Sequence, residues 1–458
     1  MSTGFQDRDI ISITDFSREE ILHLCAAGSA MAQLEKSGKR NDLRDALRHR
    51  TLSYMFYEPS TRTRTSFNTG MRELGGRYDG FSGTEGTSVM KSETVRDTVT
   101  MMCANHNDVI VMRHPLDGSL QWAADVATIP VINGGDGRNE HPTLALLDVL
   151  TLYALKEGRL DGLRVGFGGD LSHGRTVRDV MRQVDFYYMT RPQLERMPGV
   201  TQKDIVAMMK QYRIDLEKIK GFDVRVLHPL PVNSEIAEID YRVYFTPAQA
   251  FFAQAEFGIF LRKALLHEML GHEGYRRYDA RLPAELGTGN NRLPRHIHGV
   301  KQSGMFIDKI HDGTVIDHLQ PGTLRAVSDV LDLENRGFSC TTATIAEKPS
   351  PFIKTNMREL PERDLKRVAL LSPEPTIDHV KDGRMAEKFV YLLCANPNCI
   401  TRTVNEDVPP RFYSEEGIIR CRYCRRPYTI SSRKVSAEEK NAYRDALPRR
   451  IEPVLYAD

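Results

Sequence analysis

Phe56-Tyr57-Glu58-Pro59-Ser60-Thr61-Arg62-Thr63-Arg64-Thr65-Ser66-Phe67 decides how this chain is read. The apolar run Thr51 to Tyr57 before it reads as a buried strand. The run after it, Phe67 to Leu74, has helical spacing and stops at Gly75-Gly76. Hydroxyls and two guanidinium groups therefore gather where a strand becomes a helix. Backbone N–H groups and the positive end of the helix dipole favour an anion there. Arginine adds a planar fork that matches phosphate oxygens.

Outward from this point the pattern repeats. Short β-rich runs occur at Thr51–Tyr57, Asp108–Met112, Ile129–Asn133, Arg164–Gly168, Phe186–Met189 and Val224–Leu227, separated by helical runs. That alternation predicts α/β layers on parallel sheets. Polar or special residues follow each run: Arg113-His114-Pro115, Gly134 to His141, Asp170 to Arg175, Arg191-Pro192-Gln193 and His228-Pro229-Leu230-Pro231. In open parallel sheets ligands bind beyond the carboxyl ends of the strands. A helix is expected over Ala248 to Leu270. After a Gly/Arg/Pro/Asn-rich linker, the runs Phe306–Ile310, Gly313–Leu319, the helical Thr323–Leu331, and strand-like Cys340–Ala346 and Val368–Leu371 predict a small α+β domain.

The expected fold class is thus α/β, with two open parallel-sheet domains, the second shortened, followed by a small α+β domain and a zinc-ribbon-like tail. The expected divisions are 1–150, 151–270, a linker over 271–304, 305–388 and 389–458. At 458 residues the chain is too long for one core. Its net charge of +2 argues against bulk electrostatic binding of nucleic acid. The longest apolar stretches, such as Phe389 to Ala395, are far short of a membrane span. The first residues show no basic-then-apolar signal, so a cytoplasmic protein is expected. Cys394, Cys399, Cys421 and Cys424 form two tight pairs, which suit a closed tetrahedral site. Four thiolates leave no open position, so a structural Zn2+ is expected. Removing it should unfold the tail and leave the first 270 residues folded.

Together with His141-Pro142-Thr143 and His228-Pro229-Leu230-Pro231 in the same order, the opening stretch resembles the carbamoyltransferases. Glu58 and the unbroken His-Pro-Leu-Pro point to the aspartate carbamoyltransferase branch. Val111-Met112-Arg113-His114-Pro115, Gly135-Asp136-Gly137, Gly169-Asp170 with Gly174-Arg175-Thr176-Val177, and Tyr188 to Gln193 extend the likeness over about residues 5 to 270. The resemblance implies carbamoyl transfer from carbamoyl phosphate to L-aspartate without a covalent intermediate. It implies that Ser60, Thr61, Arg62, Thr63 and Arg113 hold the phosphate. Thr63, Arg113 and His141 would face the carbonyl oxygen, with His141 as a hydrogen-bond donor. The Leu230 carbonyl would hold the carbamoyl NH2, with a cis bond before Pro231. Arg175, Arg191 and Gln193 would hold aspartate. Ser88 and Lys91 would reach a neighbouring subunit's site, so a homo-oligomer built on trimers is implied.

Three departures stand out. Leu144 replaces the glutamine that follows His-Pro-Thr in the family; losing one buried polar contact costs roughly 1–3 kcal/mol. Thirteen residues separate Asp170 from Val184, room for one crossover helix where the family has a further strand-helix-strand-helix. Val232 replaces an arginine.

Gly313-Thr314-Val315-Ile316-Asp317-His318-Leu319 and the cysteine tail resemble the family's regulatory chain, here fused to the catalytic one. That implies nucleotide binding, ATP or CTP, at Asp317, His318 and Lys388, with Arg367 aligned more loosely. Two rival readings follow from the same residues. A catalytically impaired homologue, serving as scaffold or regulatory partner, is suggested by Leu144 and the short second domain. A zinc-ribbon nucleic-acid binder is suggested by Arg420, Arg422, Arg425 and Arg426.

Overall fold

The computed structural model describes residues 4–168, 181, 183–190, 212–233, 236–271, 289–295, 311–333, 335, 340–345, 348–431 and 435–448.

Four strands form the first sheet: β1 (Thr51–Phe56), β2 (Arg77–Ser82), β3 (Val109–His114) and β4 (Val131–Asp136). Their spatial order is β2-β1-β3-β4 and every pairing is parallel. β1, β3 and β4 are near-continuous buried runs, as strands covered on both faces must be. β2 is absent from the strands expected from the sequence. Its sequence, Arg77-Tyr78-Asp79-Gly80-Phe81-Ser82, has no apolar run because it is an edge strand, exposed along nearly its whole length. Helices α1 (Arg18–Lys36), α2 (Thr61–Glu73), α3 (Val95–Ala104), α4 (Ser119–Val126) and α5 (Pro142–Leu155) accompany the sheet. The Ser17 side chain and Glu20 form a capping box that starts α1.

The second sheet is smaller: β5 (Val165–Gly168), β6 (Phe186–Met189) and β7 (Arg225–Leu227), again parallel. The crossover helix expected near Thr176 to Gln183 lies almost wholly outside the described residues. A short helix, α6 (Leu216–Ile219), precedes β7, and the long α7 (Phe251–Leu270) follows. α7 packs on α1, α2 and α5 and also touches β7, so one helix ties the two sheets together.

A third, six-stranded sheet has the order β10-β11-β9-β12-β13-β8. Its strands are β8 (Arg292–Pro294), β9 (Gly313–Asp317), β10 (Cys340–Ile345), β11 (Lys348–Thr355), β12 (Thr376–Lys381) and β13 (Arg384–Tyr391). With it go α8 (Leu324–Val330) and α9 (Glu362–Leu371). Three expectations need correction. Val368–Leu371 is not a strand but the end of α9, which buries Leu365, Val368 and Ala369; four apolar residues alone do not distinguish the two. The expected linker contains β8, whose Leu293 pairs with Val390. Finally, β13 carries this sheet through Tyr391, past the expected boundary at 388. Phe306–Ile310 lie outside the described residues.

The tail adds a hairpin, β14 (Phe412–Glu415) and β15 (Ile418–Cys421), and α10 (Ala437–Ala446). It does not stand apart. Ile110, Met112 and Trp122 of the first unit share one core with Phe412, Cys421 and Tyr423 of the tail. Among the described residues no helix is long and apolar enough to cross a membrane.

Candidate active site and metal centre

The chain leaves β1 at Phe56 and enters α2 at Thr61, so the anion-seeking residues occupy the first turn of the helix. The Ser60 side chain makes no capping bond, which leaves first-turn N–H groups without that partner. Thr63 is buried, Ser60 half-buried, and Thr61 and Arg62 exposed. Parallel register sets Phe56 beside Arg113, and Tyr57 N donates to Arg113 O at 2.9 Å. The Arg113 guanidinium is aimed by Glu58: Nε and Nη2 donate to Glu58 Oε2 at 3.0 and 2.7 Å.

β4 ends in a turn that brings His141 back to the same tip. Gly135 has φ +117°, and a Cβ there would lie 3.0 Å from Arg113 Nη1 and 3.6 Å from His141 Cδ2. Arg113 and His141 therefore close over a position that only glycine can fill. On its other side, His141 Nε2 is 3.4 Å from Thr63 Oγ1. Desolvation, then the nearby charges of Arg262 and Arg113, push the His141 pKa well below its usual value, so the imidazole is neutral.

The second sheet contributes His228-Pro229-Leu230-Pro231, directly after β7. His228 is buried; its Nδ1 accepts from Leu230 N at 2.8 Å, so its Nε2–H faces Glu238 Oε1 at 3.2 Å. Glu238 also accepts from Asn233 N. These bonds pin the loop, and the Leu230–Pro231 bond is cis as expected. Arg62 Nη2 then donates to Leu230 O at 2.5 Å, bridging the tips of the two sheets. Arg62 and Leu230, Thr63 and His141, and Arg113 and His141 are thus paired at the tips of the two sheets.

Ser88 and Lys91 sit on an exposed 3-10 turn, Ser88–Lys91, in the loop between β2 and α3. Leu144 packs against the apolar cluster that includes Leu146 and Leu147. Arg175, Arg191 and Gln193 lie outside the described residues. Several supporting residues belong to no motif in the sequence. Gln254 Oε1 accepts from His228 N at 2.9 Å, while its Nε2 donates to Asp148 Oδ1 at 2.6 Å, joining the two sheets through α7. Arg262 is buried behind Thr143. The signal was available: Arg262-Lys263 interrupts the apolar run Phe260 to Leu266, and long buried charges need a reason.

On the third sheet, Asp317, His318 and Lys388 meet around Asp378. His318 Nδ1 is 3.2 Å from Asp317 and Lys388 Nζ 3.3 Å from Asp378. Burial alone would raise the Asp317 carboxyl, but His318 and Lys388 hold it below its usual value. Arg367 is not brought to this group. It lines a crevice of about 170 Å³ between α9 and Val404 to Asp407 of the tail.

The four tail cysteines are buried and their Sγ atoms all lie within 4.8 Å of one another. Cys394–Cys424 and Cys399–Cys421 separations are 3.6 and 3.9 Å. Metal–thiolate bonds of about 2.3 Å in a tetrahedron place the sulfurs about 3.8 Å apart, so the residues fit a metal. Thr401 Oγ1 donates to Cys399 Sγ at 3.3 Å, a supporting bond of the kind that orients ligands.

Comparison with known proteins gives the family. Residues 8–154 match the carbamoyl-P binding domain of aspartate/ornithine carbamoyltransferase, and residues 163–269 its Asp/Orn binding domain. Residues 305–391 match the allosteric domain of the aspartate carbamoyltransferase regulatory chain, and residues 388–433 its metal binding domain. The aspartate carbamoyltransferase catalytic subunit of Pyrobaculum neutrophilum is 38% identical, over 58% of this chain and 99% of its own length. That of Methanosarcina acetivorans is 36% identical, over 58% and 98%. Among solved structures, the aspartate transcarbamoylase of Trypanosoma cruzi in complex with carbamoyl phosphate is 30% identical, covers 59% of this chain and 98% of its own, and has a TM-score of 0.52. The catalytic subunit of M. jannaschii aspartate transcarbamoylase, 31% identical, covers 57% and 97% with a TM-score of 0.50. The P. neutrophilum alignment spans 311 residues but only 58% of 458 here, so roughly 45 positions of that relative have no counterpart, in keeping with a shortened second unit. The chain belongs to the aspartate carbamoyltransferase family, with catalytic and regulatory-type modules in one polypeptide.

Proposed function

We propose that this chain transfers the carbamoyl group of carbamoyl phosphate to the α-amino group of L-aspartate, giving N-carbamoyl-L-aspartate and phosphate for de novo pyrimidine synthesis. The observation that carries this is the convergence of Thr63, Arg113, His141 and the Leu230 carbonyl at the tips of two parallel sheets. The Trypanosoma cruzi enzyme of the same family has been solved with carbamoyl phosphate and aspartate together.

In this reading Ser60, Thr61, Arg62, Thr63 and Arg113 bind the phosphate. Arg62 moves from the Leu230 carbonyl to the phosphate, and the freed carbonyl accepts from the carbamoyl NH2. The amine of aspartate attacks the carbonyl carbon, and Thr63, Arg113 and the neutral His141 donate to the developing oxyanion. Phosphate leaves without a covalent enzyme intermediate. Holding both reactants in register supplies much of the acceleration, up to roughly 7–11 kcal/mol. Arg175, Arg191 and Gln193 take the two carboxylates of aspartate. The exposure of Ser88 and Lys91 suits residues that complete a neighbouring subunit's cleft, so the working form is a homo-oligomer built on trimers. The cysteine site holds a structural Zn2+. Asp317, His318 and Lys388 form a pocket for ATP or CTP, without Arg367. The protein works in the cytoplasm.

The test is direct detection of N-carbamoyl-L-aspartate from carbamoyl phosphate and L-aspartate with the full chain. Phosphate-analogue binding without turnover would replace this reading with the impaired homologue.

A further inference from the structure

Arg262 lies on α7 and is 4% exposed. Its guanidinium sits over the Phe67 ring, 5.1 Å from the centroid, and Nη1 donates to Gly258 O at 3.1 Å. Nε has no hydrogen-bond partner among the described residues. Burying this cation with an orphaned donor is costly, so its placement calls for a reason. Nη2 donates to Thr143 Oγ1 at 3.5 Å. Thr143, fully buried, holds the same Oγ1 3.4 Å from His141 Nδ1. His141 Nε2 faces Thr63 Oγ1 at 3.4 Å on the cleft side. All three contacts are longer than the roughly 2.7–3.2 Å usual for an N–H···O hydrogen bond.

One direction is fixed by chemistry. A guanidinium can only donate. Arg262 therefore takes one lone pair of Thr143 Oγ1, which leaves the Thr143 hydroxyl proton free to donate to His141 Nδ1. A neutral imidazole that accepts at Nδ1 carries its proton on Nε2. We propose that Arg262, acting through the Thr143 hydroxyl, sets the His141 tautomer so that Nε2–H donates to the carbonyl oxygen of the carbamoyl donor. The buried cation also opposes a second proton on the ring. Arg262 and Thr143 are positioning residues; His141 alone of the three touches substrate. The inference rests on the reading of His141 as a donor to the carbonyl.

The test uses the full chain with 15N-labelled histidine and long-range 15N–1H correlation spectra, the His141 signal being assigned by its loss in His141→Gln. The expected wild-type result at neutral pH is a neutral ring protonated on Nε2. Thr143→Val keeps the shape and removes the hydroxyl; it is expected to mix the tautomers or move the proton to Nδ1. Its kcat should fall by at least about tenfold, with KM for carbamoyl phosphate changing far less. Thr143→Ser should restore both. A wild-type ring protonated on Nδ1, or an unchanged tautomer in Thr143→Val, overturns the proposal. The wild-type spectrum needs no variant to fold. Because the spectra need no turnover, a chain that makes no N-carbamoyl-L-aspartate would sink the functional reading and leave the tautomer result standing.

Discussion

Arg113 is pulled two ways. Glu58 holds its Nε and Nη2 and so fixes its direction, while leaving Nη1 beside Gly135 and His141. A carboxylate that shares a guanidinium with the substrate aims it, at the cost of part of its charge. Arg113→Ala is therefore expected to lower turnover more than tenfold, since it removes a charge-assisted donor worth roughly 1.5–3 kcal/mol. Steady-state kinetics on carbamoyl phosphate check this, and unchanged kinetics would remove Arg113 from the site. Gly135 offers a sharper version. Alanine there combines an unfavourable φ of +117° with a methyl 3.0 Å from the guanidinium. Gly135→Ala should push Arg113 and His141 apart and cut kcat/KM at least about tenfold. A variant with wild-type kcat/KM would show that the two side chains do not need this spacing.

α7 decides what the strand tips can do, because it packs on the helices of the first sheet and touches β7 of the second. Gln254 ties Asp148 on α5 to His228 after β7, and Lys263 reaches Glu73 of α2 at 3.3 Å. Desolvation, only partly offset by the Gln254 hydrogen bond, pushes the Asp148 carboxyl up to about 7. A carboxyl whose pKa rises on folding stabilises most below its unfolded value, near 4, and that contribution is lost as pH climbs through 7. Asp148→Asn cannot titrate. Urea unfolding should therefore show wild type losing about 1–3 kcal/mol relative to the variant between pH 4 and pH 8; a pH-independent difference would place Asp148 in ordinary solvent. The helix itself is legible in the sequence, expected over Ala248 to Leu270 and found over Phe251–Leu270, but its buried polar contacts are not. The strand tips are legible, because β1, β3 and β4 are buried apolar runs followed by polar punctuation, and the cysteine spacing stated its own geometry. β2 escaped because an edge strand need not be apolar. The end of α9 reads as a strand because one face of a helix resembles a short strand. Gln254, Asp148 and Glu238 escaped because hydrogen-bond partners far apart in sequence leave no local pattern.

The whole molecule departs most from its sequence reading where the tail meets the first unit. The arginines that suggested a nucleic-acid binder are engaged with carboxylates: Arg420 with Glu415, Arg422 with Asp125, Arg425 with Asp15 and Arg426 with Asp117. Asp117, fully buried, also accepts from Asn396 and Asn398, which lie between Cys394 and Cys399. Gly118 packs so closely that a Cβ would fall 2.6 Å from the Tyr423 backbone. From α9, Lys366 Nζ donates to Glu406 O at 2.8 Å, and Glu406 Oε1 accepts from Val95 N at the start of α3. A tail joined by buried charges and a common core cannot unfold without consequence. A structural metal of the zinc type contributes on the order of 10–16 kcal/mol to folding small domains, and the four-cysteine site shares a core with the residues on which Trp122 rests. Trp122 is the chain's only tryptophan, fully buried, with its ring edge-on to Tyr423 at 6.3 Å. Chelation is therefore expected to shift Trp122 emission to the red in step with loss of tail structure, and to lower the melting temperature of the first 270 residues by several degrees. That differs from the independence expected from sequence. Emission and melting that stay at their metal-loaded values after the metal is gone would mean that the shared core is contact without cooperativity, and that the two units fold as strangers.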